Sequence, residues 1–172
     1  AIADVVGYFT ATGGSRLLPL SPFRVLDTRN GIGAPAAKVG EGATIDVAVT
    51  GVAGSGVPDG GVDAVVLNIT VDRPSADSYL TVWPTGAGRP VASSLNYGPG
   101  QAVANLVIAK VGDGGRVSLY NAFGDTHLVA DVTGCFVTGA TGRHVPVSPT
   151  RVLDTRNGIG SSQRVGTSPL VL

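Results

Sequence analysis

The chain reads as an all-β protein: an antiparallel β-sandwich of roughly eight to ten strands, forming one unit of a tandem repeat array. Three observations carry that expectation. First, RVLDTRNGIG at Arg24 to Gly33 recurs letter for letter at Arg151 to Gly160, an offset of 127 residues. The match extends backwards, and between 3–33 and 130–160 19 of 31 positions are identical. Self-similarity at a fixed period marks a repeat architecture. Second, apolar residues alternate with polar ones in short runs, the period of a half-buried strand. Third, 26 Gly and 11 Pro punctuate runs rich in Val, Ala and Thr. Every long window holds Gly or Pro, which leaves no room for an amphipathic helix.

In chain order, residues 3–9 (ADVVGYF) read as a short strand and Thr10 to Ser15 as a small-residue linker. Pro19 to Pro22 breaks any helix, and Arg24–Arg29 reads as a strand with Val25, Asp27 and Arg29 on one face. Asn30-Gly31 is a turn dipeptide, because both residues tolerate positive φ. Thr44–Thr50 alternates as a strand, and Gly51 to Gly61 is a Gly/Pro loop. Ala64–Asp72 is the best strand in the chain, with Val65, Leu67, Ile69 and Val71 on one face. Ser78–Trp83 follows a turn at Pro74 to Asp77 and is read as its hairpin partner. Val91–Tyr97, Gln101–Lys110, Arg116–Asn121 and Thr126–Val132 complete the set. Strands at spacings of about 8–15 residues with turn chemistry between them suit two packed sheets.

The duplication sets the domain layout: a closing strand and linker of a preceding copy at 1–15, a complete unit at 16–139, and the opening part of a following copy at 140–172. One opening strand (Arg151–Arg156) and one closing strand (Asp4–Phe9) are then spare. Free strand edges are seldom left open. The spares are expected either to pair locally as junction hairpins or to insert into neighbouring units, a mode that builds fibres when repeated head to tail. The tail Pro169 to Leu172 falls where the first copy has its Thr44–Thr50 strand.

Charge balances at zero, 12 basic against 12 acidic residues with no run of one sign. Nucleic-acid binding normally needs a basic stripe, so it is set aside. No apolar run reaches the roughly 18–20 residues that span a bilayer; the best, Ala102 to Ala109, is interrupted by Asn105. Cys135 is the only cysteine, so no internal disulfide can form. The first copy carries Tyr8 at its place, which marks a packing position; an exposed Cys135 would be free to cross-link two chains.

Catalysis needs a constellation, and none stands out: His127 lies in a strand, His144 in the linker, and no nucleophile elbow, zinc-protease pair or phosphate loop occurs. Asp77, Asp113 and Asp125 stand singly in turns, so no metal or other cofactor is expected. Arg matches carboxylates with two parallel hydrogen bonds. An Arg–Asp clamp at the joint between units is therefore expected from Asp4, Arg24, Asp27, Arg29 and Asp131, and again from Arg151, Asp154 and Arg156. Asn68, Asn96, Asn105 and Asn121 sit in or at the ends of strands, where Asn is disfavoured; buried, they would form a polar network. Tyr79, Thr81 and Trp83 share a face opposite Leu80 and Val82. Exposed, its two rings, about 13 Å apart at roughly 3.3 Å per residue, would form a platform for sugar rings; otherwise Trp83 closes the core.

The landmarks RVLDTRNGIG, VVLNITV, YLTVWP, ASSLNY, ANLVIAK, VSLYN and ADVTGCF together resemble a tandem repeat of secreted actinobacterial proteins, over essentially the whole chain. There the repeat follows cell-wall hydrolase or protease domains, or runs in long arrays. Cys135 stands where that family has an aromatic residue. The resemblance implies an exported, cell-surface, non-catalytic module for attachment or assembly, with further copies of the repeat as partners. The other function weighed is a carbohydrate-binding module for cell-wall or extracellular polysaccharide.

Overall fold

Val65, Leu67, Ile69 and Val71 are all fully buried, as their alternation requires, and the strand that carries them runs through the middle of the molecule. The computed structural model describes residues 2–10, 14–138 and 144–161. Its strands are β1 (Ile2–Phe9), β2 (Arg16–Asp27), β3 (Thr44–Ala48), β4 (Val62–Asp72), β5 (Ser78–Pro84), β6 (Leu95–Tyr97), β7 (Val103–Lys110), β8 (Arg116–Asn121), β9 (His127–Val137) and β10 (His144–Asp154). One 3-10 turn, Asp113–Gly115, is the only helical element among the described residues. Strands β2-β9-β4-β7 form one antiparallel sheet and β3-β8-β5-β6 the other. Their facing side chains, Val65 to Val71 with Leu128, Ala130 and Val132 against Val47, Leu80, Val82, Val117 and Leu119, make the core of an antiparallel β-sandwich.

Three local expectations are corrected. Ser78–Trp83 is not the hairpin partner of β4. Both edges of β4 are occupied, by β7 and β9, so the chain crosses at Arg73 to Asp77 into the opposite sheet, where β5 pairs with β6 and β8. The opening strand starts at Arg16 rather than Arg24 and runs through Pro19 and Pro22. It can do so because β2 is an edge strand with β9 as its one neighbour, and its register shifts between Pro19 and Phe23. Of Val91–Tyr97 only Leu95–Tyr97 is strand. The preceding residues fold over β5 through side-chain bonds instead: the Thr81 hydroxyl donates to the Ala92 carbonyl at 2.7 Å and the Val82 N–H donates to Ser94 Oγ at 3.1 Å.

The spare strands do not form local junction hairpins. Strand β1 pairs with β10, antiparallel. Every partner in that ladder is a β9–β2 partner moved by one repeat: Asp4↔Arg151 matches Asp131↔Arg24, Ala3↔Leu153 matches Ala130↔Leu26, and Phe9↔His144 matches Phe136↔Leu17. The register shifts also recur at equivalent places. The pair lies against β7 and also touches β4 and β5. The expected tail strand at Pro169 to Leu172 and residues 11–13 of the linker lie outside the described residues.

The repeated decapeptide ends in a tight turn, with Asp27 N–H donating to Ile32 O at 2.9 Å and Ile32 N–H returning to Asp27 O at 3.1 Å. Gly31 and Gly33 both have left-handed φ, +75° and +69°, but their surroundings differ. A Cβ on Gly33 would overlap the Val25 carbonyl oxygen, whereas one on Gly31 would meet Ala36 at an ordinary 3.6 Å. Gly31→Ala is expected to lose roughly 1 kcal/mol, the conformational cost alone, and Gly33→Ala roughly 2–3 kcal/mol because backbone must also move. Urea unfolding of the two variants checks the order.

Candidate functional site at the strand junction

Alternation alone would put Asp27 and Arg29 on one face and Arg24 on the other. The structure breaks that pattern: a register shift between Arg24 and Leu26 leaves Val25, Leu26, Asp27 and Thr28 all buried. Arg24 and Asp27 therefore meet. Asp27 Oδ1 accepts from the Arg29 backbone N–H at 3.0 Å and from Arg29 Nε at 2.9 Å. Its Oδ2 accepts from Arg29 Nη2 at 2.8 Å, Arg24 Nη1 at 3.1 Å and Asn30 Nδ2 at 3.3 Å. Arg29's two-pronged hydrogen bonding holds the carboxyl far below the ordinary carboxylate range, against the opposing effect of burial.

This knot ties three strands. Arg24 grips Asp131 on β9 with two hydrogen bonds, 2.9 and 3.1 Å, and Arg29 reaches Asp72 at the end of β4 at 3.2 Å. The second copy repeats it: Arg156 and Arg151 hold Asp154, and Arg151 grips Asp4 from Nε at 2.9 Å. In the first copy the clamp is internal to the sandwich, closing its opening strand onto its closing strand. In the second it joins β10 to β1, so Asp4 and Arg151 link the flanking pieces to each other.

The two groups of singled-out residues meet at one cleft of about 330 Å³. From the sandwich come Tyr79, Thr81, Arg89, Ser93 and Asn96; from the β1–β10 pair come Ile2 and Arg151, and from the turn after β10 comes Arg156. Tyr79 heads an aromatic group, with Tyr120 at 6.3 Å and Phe123 edge-on at 6.2 Å between ring centroids. The Arg89 guanidinium lies 3.6 Å above the centre of the Tyr120 ring. Trp83 takes no part. It is buried under the loop that follows β5, and its indole N–H donates to the Ala87 carbonyl at 3.0 Å. Of the expected platform, Tyr79 is the ring that reaches the cleft, while the Thr81 hydroxyl is committed to Ala92. Arg89 carried no sequence signal beyond a basic residue in a loop.

Cys135 is fully buried between Leu18 and Val65, where burial pushes its thiol pKa up, so the exposed cross-linking position is not formed. His144 is not in a linker: it opens β10, buried, with its ring stacked on Phe136 at 4.2 Å. Its backbone pairs with that of Ser15, whose hydroxyl donates to Asp63. Burial lowers the imidazole pKa, and nearby Asp63 opposes this. The three residue types of a serine relay are thus adjacent, but the serine bonds to the carboxylate, and His144 Nδ1 has no partner among the described residues. That is not the nucleophile-to-base hydrogen bond of an activated serine. His127 spends its Nδ1 on the Thr28 hydroxyl at 3.1 Å.

No family model, no curated protein and no solved structure matches this chain.

Proposed function

We propose that the chain is a non-catalytic segment of an extracellular tandem-repeat array that serves surface attachment or assembly, its copies linked through their opening and closing strands. One observation supports this reading above the rest. The ladder between β1 and β10 uses the same residue partners as the ladder between β2 and β9, down to the Arg–Asp grip. An opening strand therefore accepts a closing strand from a different copy on the same terms as its own. Strands that are chemically interchangeable can close within one chain or between chains, and main-chain hydrogen bonds supply the affinity. Repeated head to tail, the exchange yields filaments rather than rings. Export and a surface location follow from the resemblance to the secreted actinobacterial repeat. A second function, holding such an array on cell-wall or extracellular polysaccharide, is favoured by the Tyr79 ring beside open polar groups in the cleft.

The test uses cysteines at Tyr8 and Val145, which face each other in the β1–β10 ladder. Buried Cys135 stays out of the reaction. The expected result is a disulfide within one chain at low concentration, and chain-to-chain links, with a ladder of sizes and filaments by electron microscopy, as concentration rises. A bridge that remains within single chains at every concentration, with a monomeric sedimentation profile, would overturn the assembly reading.

A further inference from the structure

We propose that the cleft between the sandwich and the β1–β10 pair binds an acidic saccharide, a sugar chain bearing carboxylates or phosphates. The inference rests on the polysaccharide reading above and specifies its ligand. Its basis is the charge of the lining. Arg89, Arg151 and Arg156 all face the cleft, and among the described residues no carboxylate lines it. Asp4 and Asp154 behind the lining offset the charges of Arg151 and Arg156, so the net excess in this concavity of about 330 Å³ is one positive charge, that of Arg89. That size is at the lower end of the range for small-ligand sites, roughly 300–1,000 Å³.

The three arginines differ in what they have left to give. Arg151 is spent on Asp4 and Asp154, and only 13% of its side chain is exposed. Arg156 bonds Asp154 but keeps 66% of its side chain exposed. Arg89 forms no ion pair among the described residues and lies over the face of Tyr120. With its centre over the ring, the guanidinium has N–H groups at its edge left for a ligand, and a planar N–H fork matches carboxylate or phosphate. Tyr79 beside it offers an apolar ring face, and Ser93 and Asn96 offer hydroxyl and amide groups for sugar hydroxyls. A neutral sugar would use the ring and the amide but leave the Arg89 charge uncompensated.

The lining comes from two sources. Arg89 and Tyr79 belong to the complete unit, while Arg151 in the opening strand and Arg156 in the turn after it belong to the next copy. The site is complete only where copies meet, so a bound saccharide would hold the joint closed.

The test titrates the full chain with oligogalacturonate, with a phosphorylated galactose oligomer, and with a neutral galactose oligomer of the same length. The expected result is binding of at least one acidic probe at least about tenfold more tightly than the neutral one, weakening with salt. Arg89→Gln should lose about tenfold for the acidic probe, and Arg89→Lys, which keeps the charge without the fork, should lose less. The exposed Arg89 side chain makes both variants safe for folding, which thermal unfolding checks. The two acidic arms tell carboxylate from phosphate recognition. Equal affinity for neutral and acidic probes, or an Arg89→Gln variant that binds like the wild type, would overturn the acidic assignment and leave polysaccharide attachment standing. Binding of none of the three would remove both, without touching the cysteine cross-linking result.

Discussion

Replacing Asp27 by Asn is expected to lower unfolding free energy by about 2–3 kcal/mol at neutral pH, the scale of a hydrogen bond to a charged group left badly made. The estimate is set by geometry. Oδ2 faces three donors, from Arg24, Arg29 and Asn30, and Oδ1 faces two from Arg29. An Asn amide must turn its NH2 towards one set or the other, donor against donor. The charge–charge part is discounted, because the Arg24 and Arg29 side chains are 41% and 36% exposed and screened by water. For a chain of this size the loss corresponds to roughly 4–12 °C in Tm, read by calorimetry. A change under about 0.5 kcal/mol would show that the knot is ornamental to folding.

The same residue fixes the sign of a pH effect. Arg29's hydrogen bonds hold the folded Asp27 carboxyl far below its ordinary pKa, and Arg156 does the same for Asp154. The unfolded chain, with Asp near 3.9, takes up protons first as pH falls. The stability each group contributes is therefore fully present above about pH 4 and drains away below it. Asp27→Asn has no such proton to take up at that site. The gap between wild type and variant should accordingly be widest near neutrality and narrow below about pH 4.

What could be read before the fold was known follows from what alternation encodes. Period-2 patterning reports which side chains of a strand are apolar, so Val65 to Val71 located the core strand directly. It does not report which sheet a strand joins. Ser78–Trp83 looks the same as a hairpin partner or as a strand of the facing sheet, and the occupied edges of β4 decided the matter. Alternation fails where the register shifts, which is why Asp27 and Arg24 seemed to lie on opposite faces. The 127-residue offset identified both spare strands, but their mutual pairing is a long-range choice that only the repeated register reveals. The cleft was least legible, since Arg89 and Arg156 lie in different copies and meet only when β10 docks. Trp83 was undecidable for a related reason: whether its face is open depends on a loop folding back over it.

Asn121, one of four asparagines singled out by their unfavourable place in strands, is expected to be the most costly polar residue to remove. It is fully buried and uses both ends of its amide. Oδ1 accepts from the Tyr97 hydroxyl at 2.6 Å and the Ser78 hydroxyl at 3.0 Å. Nδ2 donates to the carbonyls of Val39, Gly40 and Gly124 at 3.1, 3.1 and 2.9 Å. One side chain thus joins the end of β8 to β5, to β6 and to two loops. Truncation to Ala leaves the buried Tyr97 hydroxyl and the Gly124 carbonyl without their Asn121 partner, at about 1–3 kcal/mol for each group that water cannot reach, while the Val39 and Gly40 carbonyls keep the N–H groups of Thr126 and Ala43. Since part of the network opens to solvent near Gly124, the expected total is about 2–4 kcal/mol by urea unfolding, larger than for any exposed asparagine such as Asn96. Tyr97→Phe should lose less, and the double variant should lose less than the sum by roughly 1 kcal/mol, because the phenol orphaned by the first change is gone in the second. Strict additivity would mean that the two groups do not hold each other, and that Asn121 acts only on the loops.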